Sequence, residues 1–397
     1  MREQNIAKLH IEGKNYMEEI CRYEDCTGCT ACVSVCPLNC ISMKANDEGF
    51  LYPYINNEIC INCGLCKNKC PSNSSVKKGD LCNVYSAKHI NPKKQNSSAS
   101  GGAFRAIAEM LIDESYYLYA AKYDENLRVI HSLVKDAIDL ENFIGSKYVQ
   151  SDMNNAISEI KDLLKNNKKV AFCGTPCQVA GLIGSVGKND KLITMELICH
   201  GVPSPLFFRK YISYVESKRN KKISNVNFRS KDIQGWTPAT LKIDFKGGRS
   251  YKTLLHNDCY GKAFSQGLVL RECCYQCKYK SKERVADITL GDYWNIPSSK
   301  YDHKGVSVIL TNTEAGDSIV KKCNNLLTAY VDINSVIEGN PRIISSITRP
   351  QERDEFFKLL INGNFDNVVK EFNLKANLKN KIIEKIPYKL RKIIGKA

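Results

Sequence analysis

The period of apolar and polar positions changes several times along this chain, and each change predicts an element. Residues 83–90 read as a strand, and 101–114 carry helical spacing through Phe104, Ile107, Ala108 and Leu111, with Ser100 as the expected N-cap. Residues 116–122 and 128–134 have strand character, 153–164 an amphipathic helical pattern, and 169–173 the continuous apolar run of a buried strand. A helix is expected from Cys177 onward, a strand over 191–199, a helix over 205–217, and a hairpin joining 241–245 to 250–254 across Gly247 and Gly248. Such alternation predicts an α/β domain with a mixed sheet. The polar stretch 72–80 reads as a linker, and 91–100 is a second polar segment.

Composition bounds the class. A chain of 397 residues with 43% hydrophobic and 25% charged residues is expected to fold into two or three domains. The first twenty residues lack the apolar core of a secretory signal, and no run approaches membrane-spanning length, so a cytoplasmic location is expected. A reducing compartment also suits 19 cysteines kept available for metal. Net charge is +16, of which residues 374–397 supply eight Lys or Arg against the single acid Glu384. Ile382, Ile383, Ile386, Leu390, Ile393 and Ile394 interleave with those cations, predicting contact with an anionic membrane surface or an acidic partner; a solvated face is the plain alternative, and Pro387 interrupts any continuous helix. With no nucleic-acid-binding signature elsewhere, nucleic acid is not an expected partner.

Two cysteine runs carry the chemistry. Cys26, Cys29, Cys32 and Cys36 precede Pro37, and Cys60, Cys63, Cys66 and Cys70 precede Pro71, each run spaced C-x2-C-x2-C-x3-C-P. This resembles a bacterial two-cluster ferredoxin domain, in which the fourth cysteine of each run ligates the other cluster. The expected quartets are Cys26, Cys29, Cys32 and Cys70 for the first cluster, and Cys60, Cys63, Cys66 and Cys36 for the second. Zinc or disulfides are the alternatives; duplicated spacing with no histidine among eight cysteines argues against both.

Further cysteines lie in Cys173-Gly-Thr-Pro-Cys177, in Cys199-His-Gly-Val-Pro-Ser and in Cys273-Cys274-Tyr-Gln-Cys277. They fall at predicted strand ends or turns, where separate segments can converge on one ligand. Gly181, Gly184 and Gly187 have the wrong spacing for a dinucleotide fingerprint, and Gly187-Lys188 is not a P-loop. Cys21, Cys40, Cys82, Cys259 and Cys323 stand outside any motif and are expected in the core, and His200 is expected to be a satisfied structural group.

Ser100-Gly-Gly, Gly145-Ser-Lys-Tyr-Val-Gln, Gly174-Thr-Pro-Cys-Gln, Cys199-His-Gly-Val-Pro-Ser, Cys274-Tyr-Gln-Cys and Ala286-Asp-Ile-Thr-Leu-Gly-Asp-Tyr-Trp together resemble the coenzyme F420 hydrogenase/dehydrogenase beta-subunit family, over residues 81–310. The resemblance implies an iron–sulfur flavoprotein with FAD and a third 4Fe-4S cluster held by Cys177, Cys199, Cys274 and Cys277, leaving Cys173 and Cys273 as spares. It implies flavin contacts from Ser100, Gly101, Gly102, Lys147, Tyr148, Gln150, Gly174 and Thr175, and exchange of hydride with the deazaflavin coenzyme F420. Bare N–H groups of the Ser-Gly-Gly segment suit a pyrophosphate, and Lys147 adds charge, although helix capping explains the segment equally. Asp287 and Asp292 are candidates to orient a substrate or ring, or cap and ion-pair groups.

The expected fold is thus a ferredoxin-like two-cluster 4Fe-4S domain fused to a mixed α/β flavin and iron–sulfur domain with a helical C-terminus, combining α+β and α/β classes. The expected divisions are an extension over 1–20, the ferredoxin unit over 21–75, α/β regions over 81–165 and 166–335, and a helical region with a basic tail over 336–397. The expected function is an oxidoreductase passing electrons between clusters and a hydride-type acceptor, with a ferredoxin or another redox protein as partner. The alternatives are a ferredoxin-coupled reductase of another substrate, as among polysaccharide-synthesis genes, and a non-catalytic electron relay.

Overall fold

The computed structural model describes residues 19–375, so the basic tail beyond 375 and the extension before 19 lie outside the described residues. The first unit is a hairpin of β1 (Ile41–Ala45) and β2 (Leu51–Ile55), antiparallel with Ile41 opposite Ile55. Two short helices flank it, α1 (Ala31–Val35) and α2 (Leu65–Asn68). Each is entered through a left-handed residue, Thr30 at φ 63° and Gly64 at φ 72°. That reversal, just ahead of Cys32 and Cys66, lets three closely spaced cysteines curl around one point.

The main body holds an eight-stranded sheet built from β3 (Asn83–His89), β4 (Tyr117–Tyr123), β5 (Val129–Leu133), β6 (Val170–Gly174), β7 (Leu192–Leu197), β11 (Ile288–Asp292), β12 (Ser307–Thr311) and β13 (Leu326–Tyr330), in the order β13-β3-β12-β11-β7-β6-β4-β5. The central run β11-β7-β6-β4 is parallel, and the flanking pairs are antiparallel. One sheet therefore draws strands from both 81–165 and 166–335.

Strand β6 is buried along its whole length, as a parallel strand covered on both faces must be. Its Ala171 and Cys173 face a core shared with α4 (Ala103–Asp113) and α9 (Glu314–Lys322), while Val170 and Phe172 face one shared with α5 (Ala156–Lys165) and α6 (Pro176–Val186). Side chains such as Ile107, Leu111 and Phe172 are fully buried here, each contributing about 1.5–3 kcal/mol of hydrophobic stabilisation.

A second sheet, of β8 (Ile223–Ser230), β9 (Thr240–Phe245) and β10 (Ser250–Leu254), packs with α7 (Pro205–Arg219), α8 (Cys259–Ser265), α11 (Arg353–Asn362) and α12 (Phe365–Glu371) around an aromatic core. The predicted hairpin is β9–β10, with Gly247 and Gly248 both at positive φ as a tight turn requires. Phe50 from the ferredoxin hairpin is buried in that same core.

Two expectations need correction. The N-cap of α4 is Gly102 in the left-handed region, not Ser100, whose hydroxyl instead donates to Val306 O at 3.0 Å. Cys82 is exposed rather than in the core. The polar segment 91–100 contains a helix, α3 (Pro92–Ser97), because Asn91 accepts from the Lys93 and Lys94 amides and Pro92 suits a first helical position. The remaining helix, α10 (Ile333–Gly339), opens the helical C-terminal region.

Candidate functional site

All 19 cysteines are free thiols. Cys32 lies within electrostatic reach of Cys29, Cys26 and Cys70, which brings the fourth cysteine of the second run to the first three of the first run. The opposite crossing occurs at the other end of the unit, where Cys36 lines one cavity with Cys60, Cys63 and Cys66. Cys63 is exposed there, and Leu38, Ile59, Ile61 and Leu65 present exposed apolar side chains around it. Each quartet has a fifth thiol beside it. Cys21 hydrogen-bonds Cys26 and Cys70, and its bonds hold both of those thiols down to about 6. Cys40 Sγ is 3.3 Å from Cys36 Sγ and also hydrogen-bonds Cys60. Cys40 is buried, as expected, and Cys21 is half-buried against the same cluster.

The third group forms at the carboxyl ends of adjacent parallel strands, the edge where α/β sheets expose ligand sites. Leaving β6, Thr175 caps α6: its amide donates to Gln178 Oε1 at 2.9 Å, Pro176 occupies the first turn, and Cys177 follows. Cys199 comes just after β7. Cys274 and Cys277 arrive on a loop held at both ends by buried arginines. Arg271 donates to Cys26 O at 2.7 Å and to Leu51 O at 3.0 Å. Arg284 pairs with Glu196, which is completely buried on β7, and donates to Tyr279 O at 2.8 Å. Lys280 Nζ bonds Cys199 O and, at 2.9 Å, Arg342 O.

The Cys177 thiol senses Cys277, Cys199 and Cys274, while burial pushes it well above the ordinary thiol range. Burial likewise pushes Cys199 up to about 12, whereas the bond from Cys273 holds Cys274 down to about 7. A cavity of about 670 Å³, including its open mouth, is lined by these cysteines and also by Asp25, Thr27 and Ser72, which flank Cys26 and Cys70. His200 lines it too, with Nε2 buried and lacking a hydrogen-bond partner; burial pushes its ring down to about 4. It is therefore only half satisfied.

Helix α6 ties the two cluster sites together. Gly181 sits so close to the ferredoxin unit that an added Cβ would lie 2.7 Å from Cys29 Cβ and Sγ, and one at Gly184 would lie 3.1 Å from Lys69 O. Ser34 and Ser185 hydroxyls meet at 3.1 Å along the same seam. The glycines that fail as a nucleotide loop thus form a docking seam, and four helical residues separate Cys177 from Gly181, about 6 Å of rise.

The residues expected to contact flavin divide between two places. Gln150 and Thr175 lie on the cluster side. Gln150 donates to Thr27 O at 2.9 Å and accepts from Arg271 at 3.1 Å, and Thr175 Oγ1 is 3.1 Å from Cys177 Sγ. Gly174 is pinned by the Phe172 ring and Gln178. Lys147 Nζ is held by the carbonyls of Phe143, Ile144 and Gly145 at 2.9–3.3 Å, and burial pushes it down to about 7. Ser100 and Tyr148 are brought together through Arg229, which donates to Tyr148 OH at 3.3 Å and to Ala99 O at 3.4 Å. Gly101 packs against strand backbone at Ala87 and Ser307, and Gly102 starts α4 with no side-chain cap.

Around them stands a group that sequence patterns did not reveal. Arg229 makes two bonds to Asp292, at 2.8 and 3.1 Å; Asp292 also accepts from Trp236 Nε1 at 2.6 Å; and Trp236 stacks on Trp294 at 4.9 Å. Lys231 Nζ donates to Gln95 O and Ser100 O, both at 2.8 Å, and burial pushes it down to about 7. Asp292 is thus an ion-pair group. Asp287 accepts from the Thr194 amide at 2.8 Å and hydroxyl at 2.7 Å.

Residues 167–333 match the family model for the C terminus of the coenzyme F420 hydrogenase/dehydrogenase beta subunit, and residues 25–74 match that of the 4Fe-4S dicluster domain. Over 167–333 the chain is therefore similar to that beta-subunit family, and over 25–74 to dicluster ferredoxin domains. The matched beta-subunit region contains all four cysteines of the third group. Among solved structures, a chain of the xenon-derivatised F420-reducing NiFe hydrogenase complex from Methanosarcina barkeri is 19% identical, with 77% of this chain and 98% of that one covered and a TM-score of 0.45. No curated protein matches the sequence. The chain is thus an iron–sulfur electron-transfer protein related to that beta subunit. Among the described residues no helix is long and apolar enough to cross a membrane.

Proposed function

We propose that this beta-subunit relative passes single electrons along three 4Fe-4S clusters, held by Cys60, Cys63, Cys66 and Cys36, by Cys26, Cys29, Cys32 and Cys70, and by Cys177, Cys199, Cys274 and Cys277, to or from a hydride carrier through FAD. The donor sets fit the ligand chemistry of a cubane: the second and third quartets each line one cavity, and Cys26, Cys29 and Cys70 gather within electrostatic reach of Cys32. A single ion is a poorer fit, since among the described residues no group of three or more His, Cys, Asp or Glu is spaced to hold one. The observation that carries the reading is the shared wall of the first and third sites, where α6 carries Cys177 in its first turn and presses Gly181 onto Cys29.

A flavin supplies the conversion between one-electron and hydride chemistry. The segment at Ser100 fits an anionic cofactor: the first turn of α4 has no side-chain cap, and the buried amine of Lys231 sits against the Ser100 carbonyl. At the far end, exposed Cys63 within its apolar rim supports exchange with a one-electron carrier protein. Anaerobic purification tests this reading. About twelve irons and one FAD per chain are expected, with about four irons lost in Cys199→Ser, and reduced F420 or a nicotinamide is expected to bleach the flavin. Unchanged iron in Cys199→Ser overturns the third quartet, and absence of bound flavin overturns the hydride role.

A further inference from the structure

The two ferredoxin sites hold ten cysteines where eight suffice. Cys21 lies five residues ahead of Cys26 and Cys40 four residues after Cys36, so the duplication does not relate them; the positions equivalent by repeat are Ile55 and Ser74. Yet they arrive at the same place. Cys21 packs against the buried cluster that holds Cys70 and hydrogen-bonds Cys26 and Cys70, the first and the crossed-over fourth cysteine of its site. Cys40 meets Cys60 and Cys36, the first and the crossed-over fourth of the other. Cys40 is buried, and its backbone amide also faces Cys36 Sγ at 3.4 Å.

We propose that Cys21 and Cys40 are reserve ligands, each able to replace either of the two cluster cysteines it touches. This rests on the assignment of the eight ferredoxin cysteines to two 4Fe-4S clusters. The exchange is redox-neutral. The iron–sulfur bond to Cys26 or Cys70 breaks as one to Cys21 forms, and the Cys21 thiol proton moves along the existing sulfur–sulfur hydrogen bond to the departing thiolate. No oxidant or reductant is consumed. The same steps apply to Cys40 with Cys36 or Cys60. The arrangement keeps a damaged site at four thiolates, which matters most at the second site, where Cys63 meets solvent.

The prediction divides the ligands in two. In the full chain purified anaerobically, Cys26→Ala, Cys70→Ala, Cys36→Ala and Cys60→Ala are each expected to keep the iron of the unmodified protein and its four-iron magnetic signals. Cys29→Ala, Cys32→Ala and Cys63→Ala are expected to lose about four irons or leave a three-iron signal. Cys21→Ala alone keeps its iron, and Cys21→Ala with Cys26→Ala loses one cluster. Alkylation with iodoacetamide provides a readout independent of iron count: Cys21 is modified in the unmodified protein and protected in Cys26→Ala. If Cys26→Ala behaves like Cys29→Ala and Cys21 stays reactive, reserve ligation is wrong and the thiols only donate hydrogen bonds to the ligands. If the unmodified protein holds no clusters in this unit, the underlying assignment fails instead.

Discussion

At single residues, small distances decide function. Gly181 has the clearest case. In the middle of a helix, alanine ordinarily gains about 1 kcal/mol over glycine, but here the new methyl meets Cys29 Cβ and Sγ at 2.7 Å. Overpacking of that kind costs about 1–3 kcal/mol and displaces a proposed ligand. Gly181→Ala is therefore expected to lower thermal stability and to lose first-cluster iron while second-cluster signals persist; a more stable protein with full iron would refute the seam. His131 sets a pH limit. It is buried beside β6, with Nε2 donating to Cys173 O at 3.1 Å and Nδ1 unpartnered, and burial together with nearby Lys147 pushes it down to about 4. A base held below its unfolded value of about 6.5 stabilises the fold fully above that pH and loses stability as pH falls from 6.5 towards 4. The loss at pH 5.5 is about 1.4 kcal/mol. In denaturant melts between pH 7 and 5.5 the unmodified protein should lose about 1.2 kcal/mol more stability than His131→Asn, and equal losses would remove His131 from the account.

At the scale of elements, legibility followed the range of the interaction. Strands, helices and the Gly247-Gly248 hairpin were readable because their signals lie within a few residues, and the cysteine runs were readable because spacing alone defines them. Where a local rule met a tertiary contact, the contact prevailed: Ser100 turns its hydroxyl to Val306 rather than capping α4. The Arg229–Asp292–Trp236 group joins three distant segments and has no periodic signature. The loop bearing Cys274 and Cys277 belongs to the same class. Its far end hangs on Arg284 and the completely buried Glu196 of β7, which also accepts from Thr289 at 3.1 Å. Removing one partner of a buried pair leaves the other uncompensated, about 3–5 kcal/mol. Glu196→Gln is expected to lower stability by that order and to lose about four irons, whereas pairing it with Arg284→Met should recover stability but not the third cluster, because Tyr279 O loses its donor. Full iron in the double variant would show that the loop needs no such anchor.

At the scale of the molecule, the ferredoxin unit is built in rather than tethered. Residues 72–80 read as a linker, yet Ser72 Oγ donates to Asp25 O at 2.7 Å and the Gly79 amide to Arg284 O at 2.8 Å. The strongest tie comes from the far end of the chain. Arg353 of α11 makes two bonds, at 2.7 and 2.8 Å, to Glu48 at the tip of the ferredoxin hairpin, donates to Leu270 O at 2.9 Å beside Arg271, and lies 4.5 Å over the Phe357 ring. One guanidinium thus joins the hairpin, the loop that leads to the third cysteine group, and the C-terminal helices. Glu48 keeps 22% of its side chain exposed, so breaking the pair falls at the lower end of the buried range, about 3 kcal/mol. Arg353→Met should leave all three sites able to hold iron, since no cysteine bonds to Arg353, while loosening the register between the first and third. The measurable consequence is faster proteolytic cleavage within 72–80 and loss of magnetic coupling between the reduced clusters. Glu48→Gln, which strands the arginine instead, should give the same pair of effects. If both variants keep the coupling and resist cleavage, the α6 seam alone fixes the distance over which electrons pass.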